Sequence, residues 1–342
     1  GIRISAPSTI GGLAPAARNV IAGNSFLGIS DQSGTSTQPS TYQGNLFGLG
    51  ADGSTVLPGQ DNGIQLNDAA QGTLVGGDTP AARNLFGGHD FAAIYVTGNP
   101  LSGNPPDIRI QGNWFGTDWS GTQSRPNGRH PTSPSQSQPT ISVFRGGRCG
   151  LRIGGLAPGE GNRIDSGAAA GVHIGTCEGA AIVGNRFSGN RIAIDLSASS
   201  GPDGASSNDA DDADEGGNRM QNTPVVTLPP GFISQGGGDT VALSYVIDST
   251  PANSSYPLTV YFYRGGCNGG GRDLIASDTY GESDAQQARA FNLVGDGNVL
   301  PLTTLAIDAA GNTSEFSPML GDDLFVDGLE TEPATFGPGR CP

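Results

Sequence analysis

The sequence predicts an all-β chain: a parallel β-helix of stacked coils over residues 1–200, then a small antiparallel β-sandwich over residues 223–320. Three observations predict it. A stretch of about sixteen residues, TIGGLAPAARNVIAGN at 9–24, returns as LVGGDTPAARNLFGGH at 74–89 and RIGGLAPGEGNRIDSG at 152–167. A second motif interleaves with it: YQGNLFGLGADGST at 42–55, IQGNWFGTDWSGT at 110–122 and IVGNRFSGN at 182–190. The chain is also rich in turn residues, with 57 glycines and 24 prolines among 342 residues, and only 35% of it is hydrophobic. That composition means either disorder or dense turns, and ordered repeats with apolar punctuation select the second.

The glycine pairs of the first motif, Gly11-Gly12, Gly76-Gly77 and Gly154-Gly155, are spaced by 65 and 78 residues. The Gly-Asn pairs of the second, Gly44-Asn45, Gly112-Asn113 and Gly184-Asn185, are spaced by 68 and 72. A unit that long exceeds one solenoid turn, and the expectation is three turns of roughly 22 residues each. Strand-like pieces such as GIRIS, GIQLN, AIYVTG, DIRIQGN, GLRIGG, GVHIGT and AIDLS carry aliphatic residues at alternate positions. Alternation turns Ile2 and Ile4 to one side, as it does Ile108 and Ile110, and equivalents stack about 4.8 Å apart. Glycine supplies the corners. Asparagines at equivalent corners, Asn19 and Asn84, are expected to form amide ladders, so residues 9–24 read as one coil: strand, glycine corner, strand, asparagine corner. Arg18 and Arg83 recur beside those asparagines, and the third copy has Gly161. A catalytic arginine needs no copies, so these read as structural or surface groups.

Residues 201–222 form an acidic connector. The strand candidates TVALSYVID, LTVYFYR, LIASDTY, ARAFNLV and LTTLAID, separated by turn residues, read as an immunoglobulin-like sandwich. Residues 321–342 form a polar C-terminal tail. The first residues begin in mid-pattern with no polar cap. A solenoid end exposes strand edges, so the expectation is either further coils or another chain over that end.

The net charge is −15, and every one of the 17 basic residues is arginine. Without lysine, Schiff-base chemistry, lysine general bases and Lys–Asn crosslinks are excluded. A phosphate backbone would be repelled, which argues against nucleic acid. No apolar run is long enough to span a bilayer. The cysteines, Cys149, Cys177, Cys267 and Cys341, fit no zinc spacing. Two disulfides are expected, Cys149–Cys177 and Cys267–Cys341, each within one domain.

Together, IGGLAPAARNVIAGN, IQGNWFGTDWSGT, the acidic NDADDADEGGNRMQNTPV at 208–225, LTVYFYRGGCNGGG, LAIDAAGNTSEFSP and DDLFVDGLE resemble secreted bacterial right-handed parallel β-helix repeat proteins that end in a β-sandwich. The resemblance implies export by a Gram-negative bacterium and an extracellular or cell-surface location. It implies no established activity.

Two candidate sites stand out. Asp209, Asp211, Asp212, Asp214 and Glu215 place five carboxylates within seven residues, with Asn218 close by. Oxygen-only ligands suit Ca²⁺; Asp209, Asp212, Asp214 and Asn218 are the expected ligands of a structural calcium ion, and the alternative is a solvated linker. The second is the loop 117–140, which carries an insertion of about nine residues relative to the first copy. Inserts on one face of a solenoid collect binding function. Trp119, Arg125, Arg129 and His130 there would grip a sugar or an acidic glycan. Of the other histidines, His89 replaces a repeat asparagine at a corner, and His173 is expected to point outward.

Two functions from different classes follow: a structural, adhesive or carbohydrate-binding rod acting on an extracellular glycan or cell-surface matrix, or a polysaccharide lyase or glycoside hydrolase. A glycosidase needs two facing carboxylates. Asp118, Glu160 and Asp165 are candidates, but no motif pairs them, and the Asn-Thr-Asp, Asp-Asp and Arg-Ile-Lys elements of polygalacturonases are missing. The non-catalytic function is therefore favoured.

Overall fold

The structure, a computed structural model, describes residues 1–34, 36–69, 71–98, 107–198, 201–229, 240–266, 270–294 and 299–321. Three parallel sheets form a β-helix. The first runs Ile2–Ile4, Leu27–Asp31, Asn62–Asn67, Ile94–Gly98, Ile141–Arg145, Ala170–Ile174 and Ile192–Leu196. The second runs Thr9–Gly11, Thr41–Gln43, Leu74–Gly76, Ile108–Gln111, Gly147–Gly154 and Cys177–Val183. The third runs Val20–Ile21, Leu46–Phe47, Leu85–Phe86, Trp114–Phe115, Arg163–Asp165 and Arg186–Ser188. Each coil takes one strand from each sheet in turn.

The aliphatic rungs fall in register. Ile2, Ile29, Ile64, Ile94, Ile141, Val172 and Ile194 pair in sequence along the first sheet. From Ile29 to Ile194 these side chains are at most 1% exposed. The third sheet adds an aromatic stack, Phe47 on Phe86 at 4.6 Å and Phe86 on Phe115 at 4.8 Å between ring centroids. Each such residue withdraws enough apolar surface to contribute roughly 1.5–3 kcal/mol.

Counting coils corrects the expected repeat. Gly11, Gly76 and Gly154 lie in the first, third and fifth coils, and Gly44, Gly112 and Gly184 follow second-sheet strands in the second, fourth and sixth. The repeat therefore spans two coils, not three. Coil length varies from 22 residues, Val172 to Ile194, to 47, Ile94 to Ile141. Residues 9–24 likewise supply two of a coil's three strands rather than a whole coil.

The asparagine corners do form a ladder, and it is continuous through all six coils. Asn19 donates to Asn45 at 2.9 Å, Asn45 to Asn84 at 3.2 Å, Asn84 to Asn113 at 2.9 Å, Asn113 to Asn162 at 3.1 Å and Asn162 to Asn185 at 2.9 Å. The corner leaves no room for a side chain on the neighbouring glycine. Gly76 has φ +88°, and a Cβ there would collide with the Gln111 carbonyl and the Asn113 amide of the next coil. A second polar column at the opposite corner joins Asn24 to Gln60, Gln60 to His89 and His89 to Asn127, at 3.0, 3.2 and 2.8 Å. His89 thus takes an asparagine's place at a corner. Burial pushes its pKa down to about 4, so the ring is neutral.

The five expected sandwich strands are present as Thr240–Val246, Leu258–Gly265, Gly271–Tyr280, Arg289–Val294 and Leu302–Ile307, joined by Val225–Thr227. They form two three-stranded antiparallel sheets. The sandwich sits on the sixth coil and closes its edge. Backbone N–H groups of Gly179, Ala180, Ile182, Gly184 and Leu196 donate to side chains of Asn312, Asn218, Thr313, Tyr263 and Glu315, all at 2.8–2.9 Å. Tyr261, Tyr263 and Leu305 join the β-helix core, and Phe316 packs edge-on against Phe187. An open strand edge is a template for pairing with another chain, and here side chains occupy it.

Candidate functional site

The outer face of the third sheet carries two stacked loops. Residues 48–57 leave the second coil and residues 116–125 leave the fourth. Each closes on itself through an antiparallel bridge, Leu49 with Val56 and Thr117 with Ser124. In each, an aspartate organises the turn. Asp52 accepts from the backbone N–H groups of Ser54 and Thr55 and from the Thr55 hydroxyl. Asp118 accepts from the Ser120 hydroxyl and from the N–H groups of Thr122 and Gln123. The Ser120 hydroxyl, first among these donors, holds the Asp118 carboxyl below the usual range. The Trp119 N–H donates to the Gly53 carbonyl at 2.9 Å, and the Arg125 guanidinium donates to the Ser54 carbonyl and hydroxyl. The loops therefore form one braced unit.

Against this unit lies a wall of tryptophan and arginine. Trp119 is 48% exposed, and the Arg18 guanidinium sits over its ring at 4.4 Å from the centroid. Trp114, half-buried, has Arg83 over its ring at 4.0 Å and Arg163 at 5.4 Å. Such contacts contribute about 0.5–1 kcal/mol each at exposed positions. Arg18 is anchored by its Nε on the Gly44 carbonyl. Arg163 pairs with Asp165 at 2.5 Å and donates to the Gly121 carbonyl. Arg83 makes no hydrogen bond or ion pair among the described residues, and its Nε is shielded from water without a partner. Burial and the nearby Arg163 charge both lower its pKa.

The four residues expected to form the glycan loop do not converge. Trp119 is on the wall, whereas Arg125 braces the two loops from within. Arg129 is exposed with no partner among the described residues. His130 accepts from the Ser133 N–H through Nδ1, at 3.0 Å, near Asp90 at the opposite corner. Trp114, Arg18, Arg83 and Arg163 were not expected as site residues. Their signal in the sequence is the recurrence of arginine beside the ladder asparagines.

The three groove carboxylates each hold local structure. Asp118 organises its turn, Glu160 accepts from the Ala157 N–H at 3.1 Å, and Asp165, 6% exposed, pairs with Arg163. Burial raises the Asp165 pKa despite that pair.

In the connector, carboxylate oxygens of Asp209, Asp212 and Asp214 lie within 4.8 Å of one another. Asp212 is 3% exposed and accepts from Gln221, the Asn222 N–H and Ser254; burial raises it to about 6. Asp209 Oδ1 is shielded from water without a hydrogen bond. Asn218 stands apart from this cluster. Its Oδ1 accepts from the Ala180 N–H and its Nδ2 donates to the Ala180 and Thr313 carbonyls, so it caps the coil edge instead.

His173 corrects the expectation of an exposed ring. It faces away from the core, as alternation requires, yet is 1% exposed. Its Nε2 lies 2.9 Å from the Ser197 hydroxyl. The charge of Asp203 and the backbone of Gly201 also act on the ring, which places the start of the connector against it. Burial lowers its pKa to about 4.

The Cys149–Cys177 disulfide joins the fifth and sixth coils with 5.4 Å between Cα atoms. Cys267 and Cys341 lie outside the described residues. Among the described residues no helix is long and apolar enough to cross a membrane. No known family model matches the chain, and no curated protein matches it.

Proposed function

We propose that this chain is an extracellular carbohydrate-binding rod, with the tryptophan–arginine wall as its contact face. The observation that carries the proposal is Trp119: a large aromatic ring, 48% exposed, held on a braced loop of a rigid solenoid. An aromatic face on a preorganised support is suited to the apolar face of a pyranose ring, and little ordering cost accompanies binding. A non-catalytic role is part of the same proposal. Asp118, Glu160 and Asp165 are each committed to a local hydrogen bond or ion pair, so these three do not form a pair facing a common substrate. A bound Ca²⁺ at Asp209, Asp212 and Asp214 belongs to the proposal as a structural element beside the sandwich, because oxygen ligands crowded at that separation favour a cation.

A glycan array, followed by assays for reducing ends and for unsaturated products, tests the proposal. Binding without product is expected. Release of product would establish the hydrolase or lyase instead.

A further inference from the structure

The wall also has a charge pattern, and this inference rests on the carbohydrate-binding function proposed above. In a chain of net charge −15, three of the 17 arginines stand on one narrow face. Arg18 precedes Asn19 of the first coil, Arg83 precedes Asn84 of the third, and Arg163 follows Asn162 of the fifth. The asparagine ladder fixes those coils in register, so Arg18 and Arg83 hold equivalent positions two coils apart, whereas Arg163 stands two positions further on, beside Trp114 in the sheet register. At about 4.8 Å per coil the axial interval is about 9.5 Å, the length of an extended disaccharide unit.

The arginines are not neutralised by the protein in equal measure. Arg163 has Asp165, whereas Arg83 has no acidic partner among the described residues and a shielded Nε without an acceptor there. Holding Arg83 and Arg163 over the same indole brings two like charges together. An anion on the terminal nitrogens relieves that repulsion, and guanidinium binds carboxylate with two parallel hydrogen bonds. Arg18 has its Nε on the Gly44 carbonyl and its terminal nitrogens unpartnered among the described residues.

We infer that the wall binds a linear acidic polysaccharide lying along the solenoid axis, with uronate carboxylates one disaccharide apart on Arg18 and Arg83 and a sugar face on Trp119. A single-stranded nucleic acid offers anions and rings as well. The overall negative charge repels its continuous phosphate array, whereas a glycan with alternating neutral sugars carries a sparser charge.

Isothermal titration of the whole chain with hyaluronan oligosaccharides, chitohexaose and oligodeoxythymidylate tests this. Hyaluronan alternates a uronate with a neutral sugar, and chitohexaose is an uncharged chain of comparable length. The hyaluronan hexasaccharide is expected to bind at least about tenfold more tightly than its disaccharide or chitohexaose, the worth of one charge-assisted hydrogen bond. Arg83→Gln and Arg18→Gln should each remove about that factor for hyaluronan and leave chitohexaose unchanged. Trp119→Ala should weaken both glycans, and Arg152→Gln, on the second sheet, neither. Thermal melts of each variant confirm that it is folded. Equal affinity for hyaluronan and chitohexaose would overturn the acidic assignment and leave glycan binding standing. Tighter binding of oligodeoxythymidylate than of either glycan, or no binding of any probe, would overturn both.

Discussion

Replacing Asn84, in the middle of the asparagine ladder, with alanine should cost far more stability than the same truncation at the ladder's exposed end. Asn84 is fully buried. Its Oδ1 accepts from the Asn45 N–H at 2.9 Å and the Asn45 side-chain amide at 3.2 Å. Its Nδ2 donates to the Tyr42 carbonyl at 2.7 Å and to Asn113 at 2.9 Å. Truncation leaves the Asn45 N–H and the Tyr42 carbonyl buried without partners, at about 1–3 kcal/mol each. The expected loss is about 3–5 kcal/mol, read as a shift of the urea midpoint at constant m-value. Asn19→Ala, at the exposed end of the same ladder, removes bonds that water replaces and should cost about 1 kcal/mol or less. Equal losses at Asn84 and Asn19 would refute the claim that the ladder fixes the coils.

Other perturbations have equally definite outcomes. Reducing Cys149–Cys177, which closes a 28-residue separation between coils five and six, should lower stability by about 3–4 kcal/mol in a denaturant titration. The buried His89 has a folded-state pKa lowered from 6.5 to about 4, so its contribution is intact above pH 6.5 and lost as pH falls toward 4. His89→Asn, which restores the asparagine pattern, should therefore flatten the acid limb of the stability profile by about 3 kcal/mol at pH 4. The raised carboxyls act in the opposite sense. Glu315, pushed to about 7, and Asp195, pushed to about 6, are protonated in the folded state at low pH, and their cost appears as pH rises through those values. Added Ca²⁺ should raise the melting temperature, EGTA should lower it, and Asp212→Asn should abolish both responses.

Much of the architecture was legible because its determinants are local. Alternating aliphatics set which side chains enter the core, and Gly-Asn pairs mark the corners where only a glycine and an amide fit. The number of coils per repeat was not legible, because loop length carries no mark of it. The interval from Ile94 to Ile141 holds one coil, although it is more than twice that from Val172 to Ile194. His173 shows the same limit: alternation gives its direction, but only the fold brings the connector across it. The wall was half-legible. Trp119 stands out in the sequence, yet Arg18 lies a hundred residues away and meets it only after four coils have stacked. Recurrence of the arginines in the sequence signals structural duty. It is also what lines them up along one face.

The most direct measurement is hydrogen–deuterium exchange across the chain with and without a saturating hyaluronan hexasaccharide. Binding along the wall predicts slowed exchange in residues 116–125 and at Arg18 and Arg83, with the strands of the first sheet unchanged. Protection on the first sheet around Ser142 and Tyr95, with none in residues 116–125, would contradict it.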